Sequence, residues 1–398
     1  MSFPVSNWTR VLLLALCTSV PAWAAPFTPS SDAEIVERLP ASGGDPALRR
    51  VDSLRKQLAA RPGDTALRLE IARRYFDLAM AQGDPRYVGY ASATIQPLAQ
   101  TAAGSAQYWL IRGLLQQYGH DFSAAIQSLR RAAELDPQSA EPISWQAAIQ
   151  MVQARYPEAL SQCTRLAPMA HALYAQGCTA YVQASTGHLV EAYEGLRKQL
   201  ASSGTVAPEL ALWVRTRLAE MAIRLRRLDE AQSHFKEAFA LAITDQFLLA
   251  AYADFLLMQQ RPQEAIKLLV DWERSDVLLL RLALAGQAAG DSRAAGWIEQ
   301  LRERFAAAAL RGDRLHEQEA ARFELDLARR PDRALALASR NYQTQKEPRD
   351  AEMLLRAALA VKQPKAAQPA LDWLRSSGYE DPSLGRLAEQ LAALETTR

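Results

Sequence analysis

Residues 106–137 read AQYWLIRGLLQQYGHDFSAAIQSLRRAAELDP. Apolar residues recur at helical spacing on both sides of the polar turn at His120, which predicts two helices joined by a short connection. Gly113 in the first helix and Ala125 in the second are small enough to let the helices cross closely, while larger neighbours fill the remaining space. Pro137 ends the second helix because its ring cannot continue the hydrogen-bond ladder. The stretch therefore predicts an antiparallel helix pair.

The same stretch resembles the tetratricopeptide repeat. Trp109 stands at the early aromatic position of that repeat and Phe122 at the aromatic position after the turn. The match departs at Arg112, where the repeat has Leu, and at Gln116, where it has an aromatic residue. The remaining matching positions are Gly113, Ala125, Leu129, Ala132 and Pro137. The resemblance implies an all-α solenoid, a right-handed superhelix of stacked antiparallel helix pairs.

An alanine recurs at the position of Ala125 along most of the chain. The gaps between successive members lie close to the 34 residues of the repeat. The series is Ala91, Ala125, Ala159, Ala192, Ala231, Ala265, Ala295, Ala334 and Ala367. The nine alanines of this series predict about nine helix pairs.

These pairs are expected to occupy residues 46–380, and a helix over Leu48–Ala60 is expected to precede the first of them. The segment Gly83–Tyr90 reads as an insertion between the helices of the first pair. Residues 381–398 are expected to form a C-terminal capping helix, centred on Leu384–Leu394, because a solenoid must cover its last apolar face.

The amino terminus reads as an export signal. Arg10 precedes the apolar run 11–17, which is too short to span a bilayer, and Pro21 breaks the run. Ala22-Trp23-Ala24 then presents small residues at the two positions that a signal peptidase reads. We expect residues 1–24 to be removed as a signal peptide.

Two alternatives concern the same region. Cys17 could carry a lipid, but the residue before it is the bulky Leu16, which is atypical of lipoprotein sites. An uncleaved membrane anchor is disfavoured by the short apolar run. Residues 25–45 contain Pro, Ser and Gly with little periodicity and are expected to be a flexible leader. No later stretch has about 18 uninterrupted apolar residues, so the mature chain is predicted to be periplasmic, without membrane insertion.

Composition supports helices and argues against polyanionic partners. The 398 residues include only 18 Gly, and helix-forming Ala, Leu, Arg, Gln and Glu dominate. A net charge of +2 gives no basis for binding nucleic acid or an anionic membrane.

No catalytic pattern is present in the sequence. The five histidines are scattered without metal-ligand spacing, and phosphate-binding glycine loops and nucleophile elbows are absent. His120-Asp121 reads as a polar turn with a capping carboxylate. The alternative is a catalytic site around His120 or His188, assembled by the fold from residues that are distant in sequence. The histidines are His120, His171, His188, His234 and His316. We expect neither an enzyme nor a bound metal or cofactor.

Cys163 and Cys178 are predicted to form a disulfide. The first lies on the second helix of one pair and the second on the first helix of the next, which are direct neighbours in a solenoid. An oxidising compartment favours the bond. The alternative is two separate buried thiols.

The concave face of the solenoid is the predicted binding site for a partner. In the family that the chain resembles, fixed positions of the first helices point inward, and here they carry mainly apolar and aromatic side chains, which typically mark a binding surface. These residues are Leu110, Leu114, Tyr118, Met151, Tyr174, Tyr181, Trp213, Phe247 and Met258. If the register is displaced by one or two residues, the same side chains belong to the helix core instead.

Two details refine this site. Family members that bind a C-terminal carboxylate use Lys, Asn and Arg where this chain has Leu110 and Leu114. The sequence therefore gives no support for binding of a C-terminal carboxylate. Arg349, Glu352 and Arg356 suggest a second, polar contact zone.

The leading hypothesis is a periplasmic scaffold or adaptor that captures a peptide or helix of a partner protein. The alternative is a structural subunit of an envelope assembly, such as exopolysaccharide, secretion or outer-membrane biogenesis machinery.

Overall fold

The structure, a computed structural model, describes residues 46–396, with side chains to residue 394. This part of the chain contains 20 α-helices and no β-strand, which confirms the predicted all-α class. The helices are α1 Pro46–Ala60, α2 Thr65–Gln82, α3 Arg86–Ile95, α4 Ala106–Tyr118, α5 Phe122–Leu135, α6 Glu141–Val152, α7 Tyr156–Leu166, α8 Ala172–Ala184, α9 Leu189–Ser202, α10 Pro208–Arg224, α11 Leu228–Phe239, α12 Gln246–Met258, α13 Pro262–Leu269, α14 Asp276–Ala289, α15 Ala294–Leu310, α16 Glu317–Asp326, α17 Pro331–Thr344, α18 Pro348–Ala360, α19 Gln368–Ser377 and α20 Pro382–Thr396.

Helices α2 to α19 pack as consecutive antiparallel pairs, numbered here from pair 1 (α2 and α3) to pair 9 (α18 and α19). The even-numbered helices are the first helices of their pairs and the odd-numbered helices are the second. Short 3-10 helices, Gln96–Leu98 and Pro364–Ala367, extend α3 and precede α19. Each pair also contacts the next, as α5 with α6 and α7 with α8. The result is a solenoid of tetratricopeptide-like helix pairs.

The close crossing that the sequence predicts is present in pair 2. A Cβ atom added to Gly113 would lie 3.3 Å from the Ala125 carbonyl oxygen and 2.8 Å from Leu129 Cγ. Since real Cβ atoms do not approach so closely, only glycine fits at this crossing. The crossing places α4 and α5 in direct backbone contact and fixes the geometry of the pair.

The recurring alanine is buried in every pair except pair 7. Ala295 is exposed there, and the neighbouring Ala294 is buried instead. A Cβ added to Gly286 on α14 would lie 3.0 Å from Ala294 Cβ. The repeat position in pair 7 is therefore Ala294, one residue before the predicted position, because two adjacent alanines leave the choice to the packing of the facing helix.

Pair 1 differs from its predicted form. The predicted insertion Gly83–Tyr90 is mostly helical, because α3 already begins at Arg86. Only the residues from Gly83 to Pro85 connect the two helices. Gly83 ends α2 with a φ of 67°, a left-handed conformation that suits glycine.

A left-handed residue also reverses the chain in several turns within pairs. In pair 2, for example, the turn is closed by a hydrogen bond from Asp121 N to Gln116 O of 2.9 Å, the pattern of a helix C-cap. Six of these turns use a residue other than glycine, with φ between 56° and 62°: His120, Ala154, Arg226, Gln260, Arg329 and Lys362.

The last pairs pack onto the turns of pairs 2 to 5. These contacts join residues about 150 to 225 positions apart, so the chain curls back on itself rather than stacking only neighbour on neighbour. They are Gln345 Nε2 to His120 Nδ1 (3.3 Å), Lys346 N to Val152 O (2.7 Å), Trp373 Nε1 to Tyr156 OH (2.8 Å), Leu189 N to Glu380 Oε2 (2.7 Å) and Arg224 Nε to Glu380 O (2.9 Å).

Candidate partner-binding face

The predicted groove residues on α4 are part of the packing between helices. Leu114 is completely buried, at 0% exposure, so the prediction that it lines an accessible groove is wrong. Leu110 is half-buried and packs against a buried cluster that includes Leu129 of pair 2 and Ile149 of pair 3. At these two positions the alternative is correct: the side chains belong to the core between the helices and do not line a groove.

The chain itself covers two further predicted groove residues. Met151 packs against a cluster that contains Met353 and Leu354 of pair 9. Tyr118 is half-buried near Asp84 of pair 1 and the carboxylates of pairs 7 and 8, and burial raises its pKa to about 12. The curling of the last pairs onto pairs 2 and 3 thus occupies space that the sequence assigned to a partner.

Three aromatic residues of the predicted groove pack against its wall. Trp213 lies flat on α8, where a Cβ added to Gly177 would be 2.5 Å from Trp213 Cζ3. The ring of Tyr174 lies 5.3 Å from the ring of Trp213. The Arg217 guanidinium covers Tyr181 at 4.6 Å from the ring centroid, a cation–π contact. All three rings are therefore engaged in contacts within the chain.

Phe247 and Met258, both on α12, are the predicted residues that stay exposed, at 41% and 47%. Phe247 forms one side of a small pocket of about 150 Å³ between α10 and α12. Trp213 and Ile243 contribute to its apolar wall, and its charged members are Glu209, Arg217 and Asp245. The pocket thus combines an apolar surface with groups that can orient a ligand.

Ion pairs that the sequence did not single out extend along the same helix face. Asp254 on α12 lies 2.7 Å from Arg281 on α14 and 2.8 Å from Arg322 on α16. Although burial opposes ionisation, the two guanidiniums hold the pKa of Asp254 below its usual range. The available signal was a charge in the middle of an otherwise apolar stretch, Asp254 in QFLLAAYADFLLM and Arg281 in DVLLLRLALAGQAA.

The three predicted polar residues of pair 9 continue this array. Arg356 lies 2.6 Å from Asp326 on α16 and 3.6 Å from Glu352. Arg349 pairs with Glu347 at 2.7 Å. The side chains of Arg349 and Glu352 remain 46% and 44% exposed. The first-helix face of pairs 5 to 9 is consequently an array of paired charges whose outer members can still hydrogen-bond a ligand.

The predicted disulfide is present. Cys163 on α7 and Cys178 on α8 are bonded, with 5.4 Å between their Cα atoms. Cys163 is fully buried. The bond ties pair 3 to pair 4 at the side of the face that carries Tyr174 and Tyr181.

The histidines are not gathered into a common site. Within the described range, no group of three or more His, Cys, Asp or Glu side chains is placed to hold a metal ion. His316 lies 3.8 Å from Glu319, and His234 contacts the Tyr193 hydroxyl. The expected absence of a metal, a cofactor and a catalytic role stays a prediction.

The predicted signal peptide and leader fall outside the described residues. From residue 46 to 396, no helix is long and apolar enough to cross a membrane.

No family model and no curated protein matches the chain. Solved structures similar to it include a chain of the APC/C hetero-tetramer Cut9–Hcn1, at 14% identity and a TM-score of 0.40, over 78% of this chain and 52% of that chain. The Rap protein complexed with competence and sporulation factor is 14% identical with a TM-score of 0.41, over 87% and 99% of the two chains. Yeast Tom70 is 13% identical with a TM-score of 0.41, over 88% and 85%. The chain spans about half the length of the matched Cut9–Hcn1 chain.

Proposed function

We propose that this tetratricopeptide-like solenoid is a protein-binding scaffold, which holds a segment of a partner protein along the first-helix face of pairs 5 to 9. The pocket beside Phe247 carries the proposal, because it is an accessible apolar recess on a face that is otherwise charged. An aliphatic or aromatic side chain of the partner would enter it as an anchor.

The charge array defines the rest of the partner segment. Arg349 and Glu352 are exposed and have opposite signs, so the segment beside them needs polar or charged groups that can match both. The partner segment is therefore amphipathic, with one apolar anchor followed by mixed charges. This differs from the apolar groove expected from the sequence, since Leu114 and Met151 are covered by the chain itself.

Export to the periplasm is part of the proposal. The amino-terminal pattern of residues 1–24 supports it, and so does the Cys163–Cys178 disulfide, because structural disulfides persist in oxidising compartments. We propose no reaction for the chain.

Site-specific photo-cross-linking tests the binding face. A photoreactive phenylalanine analogue replaces Phe247 in one full-length variant and Leu310 in the other, each expressed in the organism of origin. Leu310 on α15 is 90% exposed and lies away from the pocket, so it is the matched control. We expect a discrete cross-linked species at position 247 and none at position 310.

Equal cross-linking at both positions, or none at 247, would contradict the proposal. With the partner identified, Phe247→Ala should weaken its binding at least about tenfold, as expected for an anchor side chain. Leu310→Ala should leave binding unchanged. Both side chains are exposed, so neither substitution should alter the thermal midpoint appreciably. Trp213 is unsuitable for this test because its ring also packs against Gly177.

A further inference from the structure

A second recess lies on the opposite set of helices, between the second helices of pairs 2 and 3. It has a volume of about 410 Å³, larger than the pocket beside Phe247. Five of its six lining residues have polar or charged side chains, and they come from α5, α6 and α7: Arg130, Ala133, Glu134, Gln146, Gln162 and Arg165. None of these residues belongs to the partner-binding face.

Gln146 is the buried member of this lining, at 1% exposure. It stands 34 residues after Arg112, at the repeat position where the tetratricopeptide pattern has Leu. Its Nε2 atom donates to Pro142 O at 3.2 Å. The carboxamide oxygen accepts no hydrogen bond from the described part of the chain, and since Gln146 lines the recess this oxygen is available to a ligand there.

The two arginines of the recess carry charges that no carboxylate neutralises. Arg130 has no carboxylate within 4.0 Å in the described chain, and Arg165 donates only to Gln162 Oε1, at 2.8 Å. The one acidic residue of the lining, Glu134, is paired with Arg131 at 3.0 Å. Both arginines are therefore available to pair with an anion from outside the chain.

We propose that this recess binds an oxyanion, the carboxylate or phosphate group of a small ligand. Guanidinium groups recognise both through paired N–H donors. The carboxamides of Gln146 and Gln162 would bind neighbouring polar atoms of the ligand. Since the arginine side chains are exposed, the attraction is screened by salt and binding weakens as ionic strength rises.

Calorimetric titration of the full chain with citrate, inorganic phosphate and glucose tests the site. We expect citrate or phosphate to bind and neutral glucose not to bind, and the tighter of the two anions identifies the group recognised. Arg130→Ala and Arg165→Ala should each raise the dissociation constant at least about tenfold, because each removes a charge-assisted hydrogen bond. Arg155→Ala is the matched control: it makes the same change in net charge on α7's N-terminal side, but Arg155 pairs with Glu158 and does not line the recess.

Gln146→Leu separates binding from packing. It restores the residue type of the repeat pattern, so it should weaken anion binding while leaving the thermal midpoint equal to or above that of the wild type. Absence of citrate and phosphate binding at about 10 mM, a concentration far above typical ligand-site affinities, would overturn the proposal. So would wild-type affinity in both Arg130→Ala and Arg165→Ala.

Discussion

At the scale of single residues, the most constrained polar group is the triad of Tyr193, Glu230 and His234. The Tyr193 hydroxyl lies 2.7 Å from Glu230 Oε2 and 3.1 Å from His234 Nε2. If the hydroxyl donates to the carboxylate, His234 must donate from Nε2 to the hydroxyl oxygen. His234 Nδ1 is buried and has no hydrogen-bond partner among residues 46–394. The neutral imidazole suits this setting, since a second proton would find no acceptor at Nδ1.

This geometry predicts a pH dependence of stability. Burial lowers the pKa of His234 below its ordinary 6.5, so the unfolded chain takes up this proton more readily than the folded chain. The stabilisation is therefore fully present above pH 6.5 and is lost progressively as the pH falls below that value. We expect the free energy of unfolding, from urea titration, to decrease between pH 7.5 and pH 5.5 for the wild type.

His234→Gln isolates that contribution, because glutamine can still donate to the Tyr193 hydroxyl and does not titrate. The stability of the wild type relative to the variant should decrease as the pH falls through this window. A difference that is independent of pH would show that His234 does not couple to folding.

At the scale of helices and turns, the left-handed turn residues are a source of strain. Gln260 joins α12 to α13 with a φ of 57° and an exposed side chain. Because this conformation is unfavourable for residues with a Cβ atom, Gln260→Gly should raise the free energy of unfolding by about 0.5–1 kcal/mol, after the added flexibility of the unfolded chain is deducted.

Gln259→Gly is the control for this change. Gln259 is adjacent but has a φ of −84°, so glycine relieves no strain there and should destabilise by roughly 0.5–1 kcal/mol. Denaturation midpoints of the two variants should therefore move in opposite directions. A shift in the same direction would contradict the strain argument.

The disulfide gives a second prediction at this scale. Closing the loop between Cys163 and Cys178 should contribute about 3 kcal/mol in the chain-entropy model. Reductant should therefore lower the unfolding midpoint of the wild type and leave that of the Cys163→Ala/Cys178→Ala double variant unchanged. Peptide mapping of unreduced protein should contain the linked pair. Two free thiols at these positions would remove the basis of the prediction.

The same scale shows why the helix pairs could be predicted from the sequence. The crossing of Gly113 with the Ala125 region joins residues only 12 positions apart, so a local pattern contains both partners. The pattern cannot identify which of two adjacent identical residues is buried, as at Ala294 and Ala295. It also cannot separate the start of α3 from a loop, because Arg86–Tyr90 contains two tyrosines and a glycine rather than strong helix formers.

At the scale of the whole described chain, the binding face could be predicted only in part. Which first-helix side chains remain open depends on the packing of the last pairs onto the first ones. Those contacts join residues separated by as many as 225 positions, as between His120 and Gln345. No repeat pattern encodes them. Met151 is covered for this reason, whereas Phe247 and Met258 are exposed. Leu114 is buried for a different reason, because it belongs to the packing between helices.

These long-range contacts also change how unfolding should proceed. In a solenoid with contacts only between neighbouring pairs, a local change affects only the adjacent pairs. Here Trp373 on α19 donates a hydrogen bond to the Tyr156 hydroxyl at the start of α7, 217 positions away. Trp373→Phe removes this bond and keeps most of the apolar contact. It should cost about 1 kcal/mol and raise amide hydrogen exchange several-fold in α19 and also around Tyr156.

Trp297→Phe provides the comparison, because Trp297 also donates one bond, of 2.8 Å, but to Glu273, only 24 positions away. A bond to a carboxylate is the stronger of the two, yet faster exchange in this variant should be confined to pairs 6 to 8. If Trp373→Phe accelerates exchange only in α18 to α20, the contacts between distant pairs do not couple them, and the solenoid unfolds as a linear array.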